Sequence, residues 1–446
     1  MRAIFFYSNY MYFCSMKAKA DINVVTMGCS KNLVDSERLM RQLTAAGYSV
    51  IHDGATNSAA VAIINTCGFI GDAKEESINT ILLFVEAKKK KQIKQLYVFG
   101  CLSQRYKDIL KKEIPEVDAY FGVTELEAIL QTLNADLQPQ LLNERQLTTP
   151  AHYAYLKISE GCNWGCAYCA IPLIRGKHIS VPIEQLVDET EKLAAQGVKE
   201  LLVIAQDTTY YGMDIYGRRR LADLLNALSA IKDIEWIRLH YAYPTVFPDD
   251  VIAVLRDNPK LCKYIDIPLQ HISDEVLKKM RRGINGKQTR ELIERLRQEV
   301  PGIAIRTTFM VGHPGEDEAA FRELKEFVRT MRFERLGVFC YSEEESTYAA
   351  DNYKDEIPDE LKQARRDELM KLQETIAAEQ SAAKIGAVCK VIIDRVEGEY
   401  YIARTEHDSP EVDNEVLIKA EQLTIGDFYE VRIVSADAYD VYAEII

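Results

Sequence analysis

Three cysteines fall within eight positions in Glu160-Gly-Cys-Asn-Trp-Gly-Cys-Ala-Tyr-Cys169, directly after a strand-like run, Tyr155–Ile158. Cys162, Cys166 and Cys169 have no fourth cysteine or histidine at ligand spacing. A structural zinc site is closed and usually takes four protein ligands, and a 4Fe–4S cluster also needs four donors. Three thiolates complete neither set, and around an iron–sulfur cube they leave one iron open to a small molecule. The competing reading is three structural cysteines buried as small apolar groups. Cys14, Cys262, Cys340 and Cys389 are isolated and fit that second description.

At 446 residues the chain is long for one core and points to two or three domains. A hydrophobic content of 47% and a charged content of 28% are those of a soluble globular protein. Ten cysteines are far below the density of a secreted disulfide scaffold. Six of them at metal-type positions imply a reducing, cytoplasmic setting where thiolates stay available. Residues 1–20 open with an aromatic-rich run broken by Ser8 and Asn9. They read as a disordered extension, or translation starts at Met11 or Met16, rather than as a signal peptide. No other apolar run is long enough for a bilayer, so no membrane partner is expected.

Residues 21–137 alternate strand and helix. Ile22–Met27, Val61–Asn65 and Leu96–Phe99 are short β-rich runs, each leading into a helical segment (Leu33–Ala46, Ala73–Lys90, Ser103–Lys112). Cys29, Cys67 and Cys101 each follow one of those strands. In an open parallel α/β sheet the carboxyl ends of the strands share one edge, where ligands collect. Cysteines far apart in sequence therefore converge there, each beside a helix N-terminus that favours thiolate. This makes a second three-cysteine site.

Residues 138–150 are polar, contain prolines and read as a linker. Residues 151–384 carry six candidate strands: Tyr155–Ile158, Leu201–Ala205, Trp236–His240, Tyr264–Ile267, Ile303–Val311 and Leu336–Cys340. Helices between them, such as Ile183–Gln196 closed by Gly197, give a partial (β/α)6 barrel ending in a connector helix, Asp359–Lys384. Chemistry in such barrels sits at the C-terminal strand ends, and the cysteine triplet follows the first strand. At the same rim lie Gln206 and Asp207, Gln270 and His271, and the turn Val311-Gly-His-Pro-Gly-Glu316. Residues 385–446 change to short alternating strands, a small antiparallel β-barrel.

This order of triads and terminal barrel resembles the methylthiotransferase family over nearly the whole chain. The Cys162-x-x-x-Cys166-x-x-Cys169 spacing itself resembles the radical S-adenosylmethionine (SAM) superfamily. The resemblance implies a Rossmann-like N-terminal cluster domain, a radical SAM partial barrel and a TRAM-type barrel. It implies two 4Fe–4S clusters and SAM as cofactors. Cys162, Cys166 and Cys169 would hold the cluster that reduces SAM to a 5′-deoxyadenosyl radical, a step needing the low end of iron–sulfur potentials. Cys29, Cys67 and Cys101 would hold the sulfur-carrying cluster. Tyr168, Gln206, Gly312, Gly315 and Glu316 are the implied SAM neighbours. An electron donor such as flavodoxin or ferredoxin is implied as well.

Within the family one type, the RimO type, modifies the β-carbon of an aspartate of small ribosomal subunit protein twelve, using two SAM per turnover. Others modify transfer RNA adenosines. Tyr168-Cys-Ala-Ile-Pro-Leu-Ile-Arg-Gly-Lys-His178, Asp207-Thr-Thr-Tyr-Tyr-Gly212, His240-Tyr-Ala-Tyr-Pro244 and Tyr341-Ser-Glu-Glu344 resemble the ribosomal-protein type. Charge points the same way. The chain carries a net −13, and Lys384–Ile446 holds six Lys and Arg against fourteen Asp and Glu. That field repels phosphate and suits a basic protein, with its focus at Glu406-His-Asp-Ser-Pro-Glu-Val-Asp413. Nucleic-acid contact is not expected on this ground.

Overall fold

The computed structural model describes residues 20–446. The expected extension, apart from its last residue, and Cys14 lie outside the described residues. Short apolar runs become strands because both faces of a parallel sheet can be covered by helices. The first sheet is parallel, in the order β2 (Val50–His52), β1 (Ile22–Thr26), β3 (Val61–Thr66), β4 (Gln95–Gly100), β5 (Ala119–Tyr120). Two strands escaped the sequence reading because three and two residues are too short to show a period. Helices α1 (Ser30–Ala45), α2 (Gly71–Lys89) and α3 (Cys101–Glu113) follow β1, β3 and β4. This is the flavodoxin-like strand order, which gathers ligands at its switch point.

The second sheet is also parallel and sequential: β6 (Tyr153–Lys157), β9 (Glu200–Ile204), β10 (Trp236–Leu239), β11 (Leu261–Asp266), β12 (Ala304–Val311) and β13 (Arg335–Cys340). A short hairpin, β7 (Ser159–Glu160) with β8 (Ile179–Ser180), rises from its first strand. Side chains alternate across the sheet with period two. Ala154, Leu156, Leu201, Val203, Ile237, Leu239, Ile265 and Ile305 enter the main core with the surrounding helices. The opposite, inner face carries Tyr153, Tyr155, Leu202, Arg238 and Tyr264. Val34 of α1 packs there against Tyr153, Tyr155, Leu202 and Ile204.

The chain ends in a closed barrel of β14 (Val388–Glu397), β15 (Tyr400–Thr405), β16 (Val416–Ile418), β18 (Val441–Ile445) and β17 (Phe428–Ala436). Its pairs are antiparallel except β16 with β18, which run parallel where the barrel closes.

The acidic stretch does not form the exposed field expected for residues 406–413. It is folded onto the inner face of the central sheet. Asp408 is buried, pairs with Arg335 and accepts from Thr405. Burial opposes its charge, but Arg335 and Lys384 hold its carboxyl well below the usual carboxylate range. Asp413 accepts from Tyr264 at 2.8 Å, and Glu411 accepts from Tyr153 and Tyr155 at 3.1 and 3.3 Å. Ser409 meets His240 at 3.0 Å. Below them Glu200, wholly buried, bridges Arg238 (2.9 Å) and Arg404 (2.7 Å), and Arg404 continues to Asp394 at 2.5 Å. Asp408, Glu411 and Asp413 thus meet arginines and tyrosines of the central sheet. The partners sit on separate strands, so no spacing in the sequence announces them.

Breaking a buried pair leaves its partner charge uncompensated, at about 3–5 kcal/mol. Glu200→Ala removes the shared partner of two buried arginines, so the unfolding free energy should fall by an amount in that range and the denaturation midpoint with it. Glu399→Ala, which removes the exposed Lys419–Glu399 pair, should cost under about 1 kcal/mol. Equal midpoints for the two variants would remove the ion network from the account of docking.

Candidate functional site

The cysteine loop 161–178 is pinched at its neck by the β7–β8 pair, Ser159 against Ser180 and Glu160 against Ile179. Gly161 opens it at φ +73°, where a Cβ would lie 2.1 Å from the Lys177 carbonyl oxygen, so only glycine fits. The Cys162 amide then donates to Gly176 O (3.1 Å) and the Ala167 amide to Met280 O (2.9 Å). Trp164 donates through Nε1 to Asp207 at 2.6 Å and stacks on Tyr243, ring centroids 4.2 Å apart. The Cys166 sulfur lies 3.4 Å from the Tyr243 hydroxyl and 3.6 Å from Nη1 of Arg282. The same Nη1 donates to the Tyr168 hydroxyl at 3.3 Å, and Nη2 to Pro268 O at 2.5 Å. Arg282 thus sets a buried cation beside the triad. Burial pushes the Cys162 and Cys169 thiols up to about 12 all the same.

The second triad lies at the carboxyl edge of the first sheet. Cys29 caps α1, Cys67 follows β3 and Cys101 begins α3. Gly28 has φ +87°, and a Cβ there would stand 2.7 Å from Cys67 Cβ and 2.9 Å from its sulfur. The loops holding Cys29 and Cys67 are therefore in contact. Asn32 ties all three strand ends together: Nδ2 donates to Met27 O (2.8 Å) and Thr66 O (3.2 Å), and Oδ1 accepts the Cys101 thiol at 3.6 Å. Cys29 is exposed and Cys67 and Cys101 are buried. Burial raises both buried thiols, Cys101 to about 11, overriding the helix-end field expected to favour thiolate.

The two triads are neighbours. Cys101 packs with Ala170 and Ile174, the segment that begins one residue after Cys169. Asp35 of α1 and Glu160, both half-buried, meet buried Lys157 of β6 and buried Arg175 in a cluster between the two parts. Burial opposes ionisation of Glu160, yet Lys157 and Arg175 hold it down at about 2. On the far side Glu344, after β13, takes Lys74 of α2 (2.9 Å) and Arg105 of α3 (2.6 Å).

All nine described cysteines are free of disulfides. Among the described residues no three His, Cys, Asp or Glu side chains close around a single metal ion. A cube-shaped cluster asks something different, since each cysteine binds its own iron. Two open, all-sulfur triads flanked by cations suit that demand better than a mononuclear one.

The other sequence-predicted residues are spread around this centre. Gln206 donates to Glu160 at 2.9 Å, between the triads. Tyr168 packs beside Met310, its ring edge-on to His313, whose imidazole burial lowers to about 4. Glu316 is occupied: it pairs with Arg365 (2.7 Å) and accepts the Gly312 amide (2.9 Å). A Cβ on Gly312 would strike Lys362 at 2.2 Å, and one on Gly315 would strike Lys279 at 2.5 Å. That turn is shaped by side chains crossing it. Asn32 and Arg282 were missed by the sequence reading, and Arg175 was quoted there without a role. None stands at a fixed spacing from the cysteines it serves.

Family models match residues 156–328 as the radical SAM superfamily, 21–122 as uncharacterized protein family UPF0004, and 385–446 as a TRAM domain. The fold is shared with the radical SAM methyltransferase TsrM from Kitasatospora setae, at TM-score 0.54 and 14% identity over 74% of this chain and 77% of that one. The cobalamin-dependent enzyme OxsB aligns at TM-score 0.52 and 12% identity, over 80% of this chain and 56% of that one. Fold and cysteine loop therefore define a radical SAM enzyme, one that uses SAM and an iron–sulfur cluster.

Relatives narrow the class. A ribosomal protein uS12 methylthiotransferase, RimO, of Bacteroides fragilis is 58% identical over 433 residues, 97% of this chain and all of that one. Those of Porphyromonas gingivalis (55%, 95% of this chain and 99% of that one) and Cytophaga hutchinsonii (53%, 97% and 100%) are similar. The chain belongs to this RimO family of methylthiotransferases, enzymes that transfer sulfur-containing groups. No described helix is long and apolar enough to cross a membrane.

Exposure should order the thiols of the cluster-free protein toward an alkylating reagent. Cys29 should label at least about tenfold faster than Cys67 or Cys101, as mapped by mass spectrometry at pH 8. Labelling of all six at one rate would contradict the burial described.

Proposed function

We propose that this protein inserts a methylthio group at the β-carbon of an aspartate of small ribosomal subunit protein twelve, consuming two SAM per turnover. The observation that carries the two-centre reading is the packing of Cys101 against Ala170, which brings the two triads side by side. The assignment of the substrate rests on the three relatives described above, each named for uS12. Terminal acidity speaks less for a basic partner than the sequence suggests, because Asp394, Asp408 and Asp413 are paired within the chain by Arg404, Arg335 and Arg306.

Cys162, Cys166 and Cys169 would hold one 4Fe–4S cluster, with SAM on its open iron; Cys29, Cys67 and Cys101 would hold the second. When bound, these groups supply the electron that cleaves SAM and the sulfur that is transferred. The chain's own residues do the rest. Arg282 and Tyr243 hold Cys166, Trp164 and Asp207 fix the loop in front of β9, and Tyr168 packs at the expected nucleoside side. Burial of Cys67 and Cys101, and of Arg282 beside the other triad, limits the water that would quench a radical. Gln206, Gly312, Gly315 and Glu316 are assigned to the SAM pocket as its frame: Glu316 keeps the turn closed through Arg365. The electron donor is a low-potential carrier such as flavodoxin or ferredoxin, and the setting is cytoplasmic.

In the anaerobically reconstituted enzyme, Cys166→Ala should abolish 5′-deoxyadenosine formation. Cys67→Ala should still form it while yielding no methylthio product, read by mass spectrometry of uS12 and of transfer RNA. Product on adenosine instead of uS12 would move the substrate to the transfer RNA branch of the family. Product from Cys67→Ala would dissolve the second cluster.

A further inference from the structure

We infer that Arg175 is a positioning residue for the sulfur-carrying centre: a cation lent by the radical-generating segment to the Cys29/Cys67/Cys101 triad. This rests on the reading of that triad as a cluster. Arg175 ends the short helix Ile171–Arg175, six residues beyond Cys169, with its side chain only 2% exposed. Its guanidinium leaves its own domain. Nη2 donates to Asn32 Oδ1 at 2.5 Å, and Nη1 reaches Asp35 at 3.1 Å while holding both Glu160 oxygens at 2.9 Å. Asn32 is the residue that joins the three cysteine loops, and its amide nitrogen is spent on Met27 and Thr66. Its Oδ1 is therefore fixed toward Cys101 and Arg175 together.

The consequence follows from donor bookkeeping. As a ligand, the Cys101 sulfur is a thiolate and has no proton to give, and Asn32 Oδ1 can only accept. Of the groups gathered there, the guanidinium is the one able to donate, and Cys101 and Cys29 both lie within its electrostatic reach. Hydrogen bonds and charge at cluster sulfurs set the reduction potential. Asp35, Glu160 and Lys157 balance the arginine, so deleting it leaves excess negative charge against the cluster. Arg282 stands in the corresponding place for the other triad, 3.6 Å from Cys166. Each centre would then own one buried arginine, both supplied by the central domain.

The test uses the full chain with both clusters reconstituted, following iron and sulfide content and the midpoint potential of each cluster by electron paramagnetic resonance. Arg175→Met should keep the iron content of both clusters. It should lower the second cluster's midpoint by more than the first's, with Arg175→Lys recovering part of the shift. Should Arg175→Met fail to load or fold, Asn32→Asp places a negative charge at the same spot and should lower the same potential. An unmoved second-cluster potential in the variant that loads, or equal shifts in both clusters, overturns the assignment. Iron for only one cluster in the unmodified chain would instead overturn the second triad itself, and is read before any variant is made.

Discussion

Charge clamps the two sulfur-bearing parts of this enzyme at both edges of the central sheet, around the apolar contacts made by Val34 and Cys101. Asp35, Lys157, Glu160 and Arg175 meet at the β6 edge of the central sheet, and Lys74, Arg105 and Glu344 meet beyond β13, its other edge. A closed eight-stranded barrel has no such edges. A six-stranded open sheet has two, and the first domain is fastened at both. Buried ion pairs add little net stability because desolvation offsets their attraction, but they tolerate little displacement. A reaction that must pass a group between two centres needs that intolerance more than it needs binding strength.

The inner face of the central sheet is occupied from two directions. Val34 of α1 covers Tyr153, Tyr155, Leu202 and Ile204, and Lys31 sits over the Tyr241 ring at 2.9 Å. From the other end the 406–413 stretch sets its acids against Tyr153, Tyr155, Tyr264 and Arg335. Tyr153 and Tyr155 touch both intruders. The terminal barrel is thereby a structural part of the catalytic domain as much as a separate module, and Trp236 against Phe428 at 4.9 Å extends the contact through apolar surface.

Local order was legible, and pairing was not. Cys29, Cys67 and Cys101 could be placed on one sheet edge because each directly follows a β-rich run, and topology does the rest. The partial barrel was legible for the same reason. The acids at 406–413 were misread because their partners, Tyr264, Arg306 and Arg335, lie far back in the chain on other strands and share no period with them. The Gly312–Glu316 turn was read for what backbone could approach it. Lys279 and Lys362 in fact cross there, and side chains from distant helices leave no local trace.

Burial sets one further condition on these sites. With Cys101 raised to about 11 and Cys162 and Cys169 to about 12, these three thiols carry their protons at neutral pH in the cluster-free chain. Ligation must release those protons, so cluster assembly is linked to pH and grows more favourable as it rises toward those values. Helix N-termini alone do not offset burial here. What shifts the balance toward thiolate is the pair of buried arginines: Arg175 and Arg282 oppose the rise at Cys101 and at Cys162 and Cys169 respectively. The groups that position the sulfur ligands are thus the ones that ease their deprotonation, and an arginine suits both tasks because its charged guanidinium donates to several partners at once.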